Sequence, residues 1–151
     1  MILTTSIKES IDSCVLCWLA TSSAKEVPNV SPKEIFTHYG DDQIIIANIA
    51  SPQTIKNIKQ NKQVCISFID ILVQKGYQLK GNAEIKDPTH DGYQDMKAIL
   101  LEMTGGQFPF SCIIVINVEQ SKPIIAPRYL MYPDTMESDQ IESAKRAYDL
   151  K

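Results

Sequence analysis

This chain of 151 residues has only two histidines, no excess of basic residues and no long apolar run. Each shortage excludes something. His38 and His90 lie far apart in the sequence and have no ligand-spaced partners, so the pattern supports no metal centre. A net charge of -3 argues against a nucleic-acid surface, which is basic and clustered. No apolar stretch approaches the roughly 20 residues that span a bilayer. The opening "MILTTSIKES" lacks the basic segment and following apolar segment of a secretion signal. The expectation is a cytoplasmic protein with neither a membrane nor a nucleic acid as partner.

What is present describes one ordinary domain. Hydrophobic residues make up 44% of the chain and charged ones 22%, enough for a proper core in a single unit spanning residues 1–151. No repeat, low-complexity segment or linker interrupts it. The four cysteines, at 14, 17, 65 and 112, sit in or beside apolar segments such as "QVCISFI", where a free thiol acts as a small buried hydrophobe. Cys14 and Cys17 form a C-x-x-C. The pair leads into an extended apolar run rather than opening a helix, and no second pair completes a zinc site, which weighs against redox or metal chemistry.

Periodicity predicts a short helix over 4–13, capped by Thr5 or Ser6, with Ile7 and Ile11 on one face. Strands are expected at 15–21, 30–39, 43–49, 63–73, 77–86 and 112–120, and further helices at about 52–62, 91–103 and 137–149. The helix at 91–103 would bury Tyr93, Met96, Leu100 and Met103. Three prolines in "SKPIIAPRYLMYPD" (121–134) read as an extended irregular segment. Closure removes exposed sheet edges, which favours a small antiparallel barrel over an open sheet. The run "VCISFI" is apolar at successive positions, so both faces of that strand should be covered, one by the barrel interior and one by a helix or a partner chain.

One junction stands out. The apolar run "QIIIANI" stops at Ala50, and Ser51-Pro52-Gln53-Thr54 opens a helix with no acidic residue in its first turn. Aspartate and glutamate usually sit there because they complement the positive end of the helix dipole. Ser51 suits the N-cap and Pro52 the first helical position. The free N–H groups of Gln53 and Thr54, with the two hydroxyls, then form a cradle for an external anion. An ordinary capped amphipathic helix, with Ile55 and Ile58 inward and a solvated lysine stripe outward, is the competing account. Pro32 in "PNVSPKEI" requires an edge or a bulge, and Gly81 in "KGYQLKGNAEI" requires a bulge or a close backbone approach. Lys75 and Lys80 are either ligand contacts or surface lysines. Trp18 and Tyr77 read as core residues.

In order and spacing these pieces resemble the pyridoxamine 5'-phosphate oxidase-like, FMN-binding split-barrel family, over roughly residues 5–120. The likeness rests on "VLCWLATSSAKEVPNVSPKEIF", "DDQIIIANIASPQTIKNIKQNKQVCISFID" and "GYQLKGNAEI". It implies a mainly β, α+β architecture: a six-stranded antiparallel split β-barrel with short peripheral helices. It further implies a homodimer with FMN at each end of the interface. By the same resemblance Ser51, Gln53 and Thr54 hold the FMN phosphate, although some relatives carry a basic residue where Gln53 stands. The backbone of Ser31, Pro32, Lys33 and Glu34, with Ala47, Asn48 and Ile49, lines the isoalloxazine and the ribityl chain. Asn57 ties the helix to the neighbouring strand, Lys33 is the first candidate to sit near flavin N1, and the partner's 121–133 covers the ring. The function implied is an FMN-dependent oxidoreductase that passes hydride or electrons between a nicotinamide or other donor and a small molecule. A non-enzymatic flavin or electron carrier, or a barrel for another phosphorylated or haem-like ligand, is the alternative. The tail has Arg128 but not the arginine- and histidine-bearing segment of the vitamin-B6 oxidases, so that particular reaction is not expected.

Overall fold

The computed structural model describes residues 2–151. Seven strands form one curled antiparallel sheet in the order β2-β1-β5-β6-β7-β4-β3. The strands are β1 (Cys17–Ser22), β2 (Pro28–Lys33), β3 (Phe36–Tyr39), β4 (Gln43–Ala47), β5 (Gln63–Asp70), β6 (Lys75–Lys86) and β7 (Ile113–Ile125). The helices are α1 (Thr5–Ser13), α2 (Pro52–Gln60), α3 (Tyr93–Thr104), α4 (Pro127–Met131) and α5 (Glu137–Ala147). This is the half-barrel of a split-barrel architecture, mainly β with short helices around it.

Three departures from the sequence reading have local causes. The strand expected over 30–39 is two strands, β2 and β3, which lie at opposite edges of the sheet, so the count rises from six to seven. Pro32 donates nothing to a ladder, and β2 is an edge strand that pairs only with β1. The segment expected to be irregular from 121 continues β7 as far as Ile125. Its neighbour β4 stops pairing at Gln43↔Asn117, so the later half of β7 is an edge on that side and accommodates Pro123. Pro127 then opens the short helix α4. The first helix is capped by neither Thr5 nor Ser6: Thr4 Oγ1 accepts from the N–H of Ile7.

The core has two parts. Ile44 and Ile46 of β4 join Leu19, Ile66, Phe68, Leu79, Ile114 and Ile116 inside the half-barrel, closed by α1 and α2. Ile45 and Ala47 point the other way, against Tyr93, Met96 and Leu100 of α3. The continuous apolar run of β4 is thus explained: both of its faces are buried. Met103, expected on the inner face of α3, is exposed, and Thr104 is buried instead. At Gly81 the β6–β7 register shifts, and an added Cβ would lie 2.0 Å from the carbonyl oxygen of Asn117, so only glycine fits the close approach. Tyr77 packs on Phe68, but Trp18 is not a core residue: it is 48% exposed on the outer face, beside Pro32 of β2 and Ser67 of β5.

Candidate functional site

Alternation along an edge strand sends every second residue inward. On β2 these are Asn29, Ser31 and Lys33, paired with Thr21, Leu19 and Cys17 of β1. Helix α2 lies over these rungs, and three side-chain bonds fasten it there. Lys33 Nζ donates to Ser51 Oγ in a short contact. The hydroxyls of Ser31 and Thr54 share a bond of 3.1 Å. Asn57 Nδ2 donates to Thr21 Oγ1 at 3.0 Å, and Asn57 Oδ1 accepts from Gln53 Nε2 at 2.8 Å. Asn57 thus ties the helix to the neighbouring strand as expected. Ser31, Lys33, Ser51, Gln53 and Thr54, separated by up to 23 positions in sequence, meet in one place.

The start of α2 is open. Ser51 is the N-cap residue, yet its side chain caps no N–H, Pro52 follows, and the first turn holds no acidic residue. The group that approaches is a cation. Lys33 is only 5% exposed, and among the described residues no carboxylate lies within ion-pair distance of it. Burial pushes its ammonium below the usual lysine range. Cys17, its cross-strand neighbour, is pushed up to about 12 by burial, so it stays a neutral thiol and supplies no counter-charge. A buried, unpaired ammonium is costly, and an incoming anion would relieve that cost. The raised Cys17 is also the opposite of a redox cysteine, whose thiol is lowered.

Beside this group lies a cavity of about 230 Å³, walled by Pro32, Lys33, Glu34, Ile35, Ala47 and Ile49, with Phe108 at its edge. Ile49 and Ala47 come from the β4–α2 junction, so the cavity and the helix start share one turn of chain. Two backbone donors are already used there: the N–H of Ala47 bonds to the Ile35 carbonyl, and the N–H of Asn48 to that of Cys112. Asn48 Oδ1 is buried without a partner. A larger cavity of about 330 Å³ between α1, β3 and α3 has Asp12, Glu34 and Glu102 in its wall and no cation, which disfavours an anionic occupant.

The remaining sequence candidates go elsewhere. Lys75 Nζ donates to Glu137 Oε1 at 2.8 Å and lies 4.5 Å from the centre of the Tyr129 ring, so it fastens the C-terminal helices. Lys80 is exposed on β6 next to Cys65. Neither lines the cavity. The contribution of Phe108 was not visible in the sequence, because the loop before β7 carries no periodicity and is brought to residues 32–49 only by the sheet.

The comparisons agree with this architecture. Residues 3–125 match the family model described as pyridoxamine 5'-phosphate oxidase, and the chain belongs to that family. HupZ of Group A Streptococcus is 28% identical, with a TM-score of 0.72 over 83% of this chain and 96% of that one. An FMN-binding protein from Syntrophomonas wolfei superposes with a TM-score of 0.66 at 19% identity, covering 78% of this chain and 82% of that one. HutZ, the haem storage protein of Vibrio cholerae, superposes with a TM-score of 0.65 at 20% identity, covering 83% and 95%. The last two likenesses, at low identity, concern the fold alone. No curated protein matches the chain. No helix among the described residues is long and apolar enough to cross a membrane.

Proposed function

We propose that this chain binds FMN, with the phosphate at the start of α2 and the flavin ring in the cavity beside it. One observation carries the reading: a buried lysine without a carboxylate, Lys33, faces an uncapped helix start and also lines a cavity. An N–H-rich helix end and a desolvated cation together suit a dianionic phosphate. Ser51 and Lys33 contact the phosphate, Gln53 and Thr54 offer their N–H groups, and Ser31 holds Thr54 in place. Lys33 thereby supplies the charge that Gln53 does not, and serves the phosphate rather than flavin N1. Pro32, Glu34, Ala47, Asn48 and Ile49 line the ring and ribityl chain. The orphaned Asn48 Oδ1 suits a donor on such a ligand.

Bound FMN would supply hydride or electron transfer, and the chain's part is to hold the ring and exclude water. The reading is a flavin oxidoreductase acting on a small molecule, with a nicotinamide or other donor. The protein acts as a homodimer. A cavity of about 230 Å³ falls below the roughly 300–1,000 Å³ usual for a ligand of this size, so walls from a second protomer are required. The outer face of β1, β2 and β5 carries exposed Trp18, Val30 and Ile69 and suits that contact.

An absorbance titration of the purified protein with FMN, then anaerobic NADH or NADPH, tests this. A flavin spectrum that perturbs on binding and bleaches with the nicotinamide is expected. Binding without bleaching by any donor favours a carrier. The double variant Ser51→Ala/Thr54→Ala should weaken FMN by about 1–3 kcal/mol, the scale of lost bonds to a charged group. Unchanged affinity in that variant refutes the phosphate site. A Soret band with haem and no FMN uptake would point to the haem alternative, although neither His38 nor His90 lines the cavity.

A further inference from the structure

We infer that Phe108 is the stacking wall of this pocket, the side chain that lies against the flat ring of the ligand and selects for an aromatic one. The inference rests on the FMN reading and adds to it the residue that recognises the ring. Phe108 is the one aromatic side chain among those lining the cavity. It is 51% exposed, an apolar ring left in water at the edge of a binding cavity that also holds a buried cation. A molecule with an anion and a planar ring uses both.

The loop that carries it is fastened at both ends. Helix α3 stops at Gly105 and Gly106, whose φ angles of 57° and 77° are left-handed. The N–H of Gly106 bonds to the Leu101 carbonyl at 3.2 Å and to Thr104 Oγ1 at 3.1 Å, and that of Gln107 to the Thr104 carbonyl at 3.2 Å. On the other side Phe110 packs against the second core, and the Cys112 carbonyl accepts from Asn48, at the cavity itself. Pro109 further restricts the backbone of Phe108. The ring is therefore presented on a short bracket and is not a loose surface side chain. An offset-stacked aromatic contact of this kind adds affinity beyond its buried area.

The test compares wild type, Phe108→Ala, Phe108→Leu and Phe108→Trp by fluorescence titration with FMN, and by melting temperature without ligand. The half-exposed ring makes little of the ligand-free stability, so melting should hold within a few degrees. Phe108→Ala should weaken FMN about five- to tenfold, with Phe108→Leu between it and wild type. Phe108→Trp should retain affinity and sharply lower the emission of bound flavin, because an indole in contact with the ring quenches it by electron transfer. Lumiflavin, which lacks the phosphate, should lose affinity in Phe108→Ala by the same factor. If wild type binds FMN but Phe108→Ala binds it equally and Phe108→Trp leaves bound emission unchanged, Phe108 does not touch the ring and this inference alone falls. If wild type takes up no FMN, the flavin reading falls and takes the stacking role with it.

Discussion

Replacing Lys33 with methionine should move two measurements in opposite directions. Lys33 is buried, donates to Ser51 and has no carboxylate partner among the described residues. Its ammonium is held below the ordinary value of 10.5 by burial, so the unfolded chain holds that proton more tightly than the folded one. Stability of the ligand-free protein therefore rises as pH climbs through the folded-state value and levels off above 10.5. Below that window the charge is a net cost. Lys33→Met keeps most of the side-chain length and removes the charge. After allowing for the lost bond to Ser51, a gain of about 1 kcal/mol is expected at neutral pH. For a chain of this size that is a rise of about 2–4 °C in melting temperature. The same substitution should weaken FMN by roughly 10- to 100-fold, the worth of a bond between an ammonium and a phosphate. Scanning calorimetry without ligand and a fluorescence titration with FMN give the two values. The alkaline rise in stability should also vanish in the variant. A lower melting temperature with unchanged FMN affinity would refute the reasoning, because it would make Lys33 a structural tie and not a cation awaiting an anion.

Three further outcomes are expected. Asn57→Ala removes the bonds to Thr21 and Gln53 and leaves buried Thr21 short of a partner, so unfolding in urea should show a loss of about 1–3 kcal/mol. Gly81→Ala would set a Cβ 2.0 Å from a backbone oxygen across the β6–β7 pair, and a loss of at least about 2 kcal/mol, read the same way, is the result; a neutral change would mean the two strands can part there without cost. The homodimer proposed above predicts that wild type sediments as a dimer and that Trp18→Glu on the exposed outer face sediments as a monomer with intact far-ultraviolet circular dichroism; a persistent dimer in the variant would move the interface elsewhere, and a monomeric wild type would overturn the proposal.

Much of this was legible in the linear pattern because it depends on local chemistry. The run "QIIIANI" announced a strand, Pro32 an edge or a bulge, Gly81 a bulge or a close approach, and Ser51-Pro52 a helix start; that Ile44–Ile46 is buried on both sides shows only once α3 lies on the outer face of β4. What was not legible depends on which strand lies beside which. Residues 30–39 look like one strand until β3 leaves β2 for the far edge of the sheet. Trp18 reads as core because apolar residues flank it on both sides, yet strand alternation sends Leu19 inward and Trp18 outward. The place of Lys33 in the site needed the β2–α2 packing, since nothing in "SPKEI" says that its side chain reaches Ser51. Phe108 needed the long return of the chain through α3.

The strand β4 is clamped between two cores, and the chain that forms one wall of the cavity leaves directly from its end. That wall cannot yield to an incoming molecule without disturbing both hydrophobic layers at once. Adaptation to ligands of different thickness must then come from the opposite bank, where an eight-residue bridge between α3 and β7 spans positions 105–112 and carries Phe108. Relatives that differ in what they accommodate should accordingly differ in that bridge before they differ at Ala47 or Ile49.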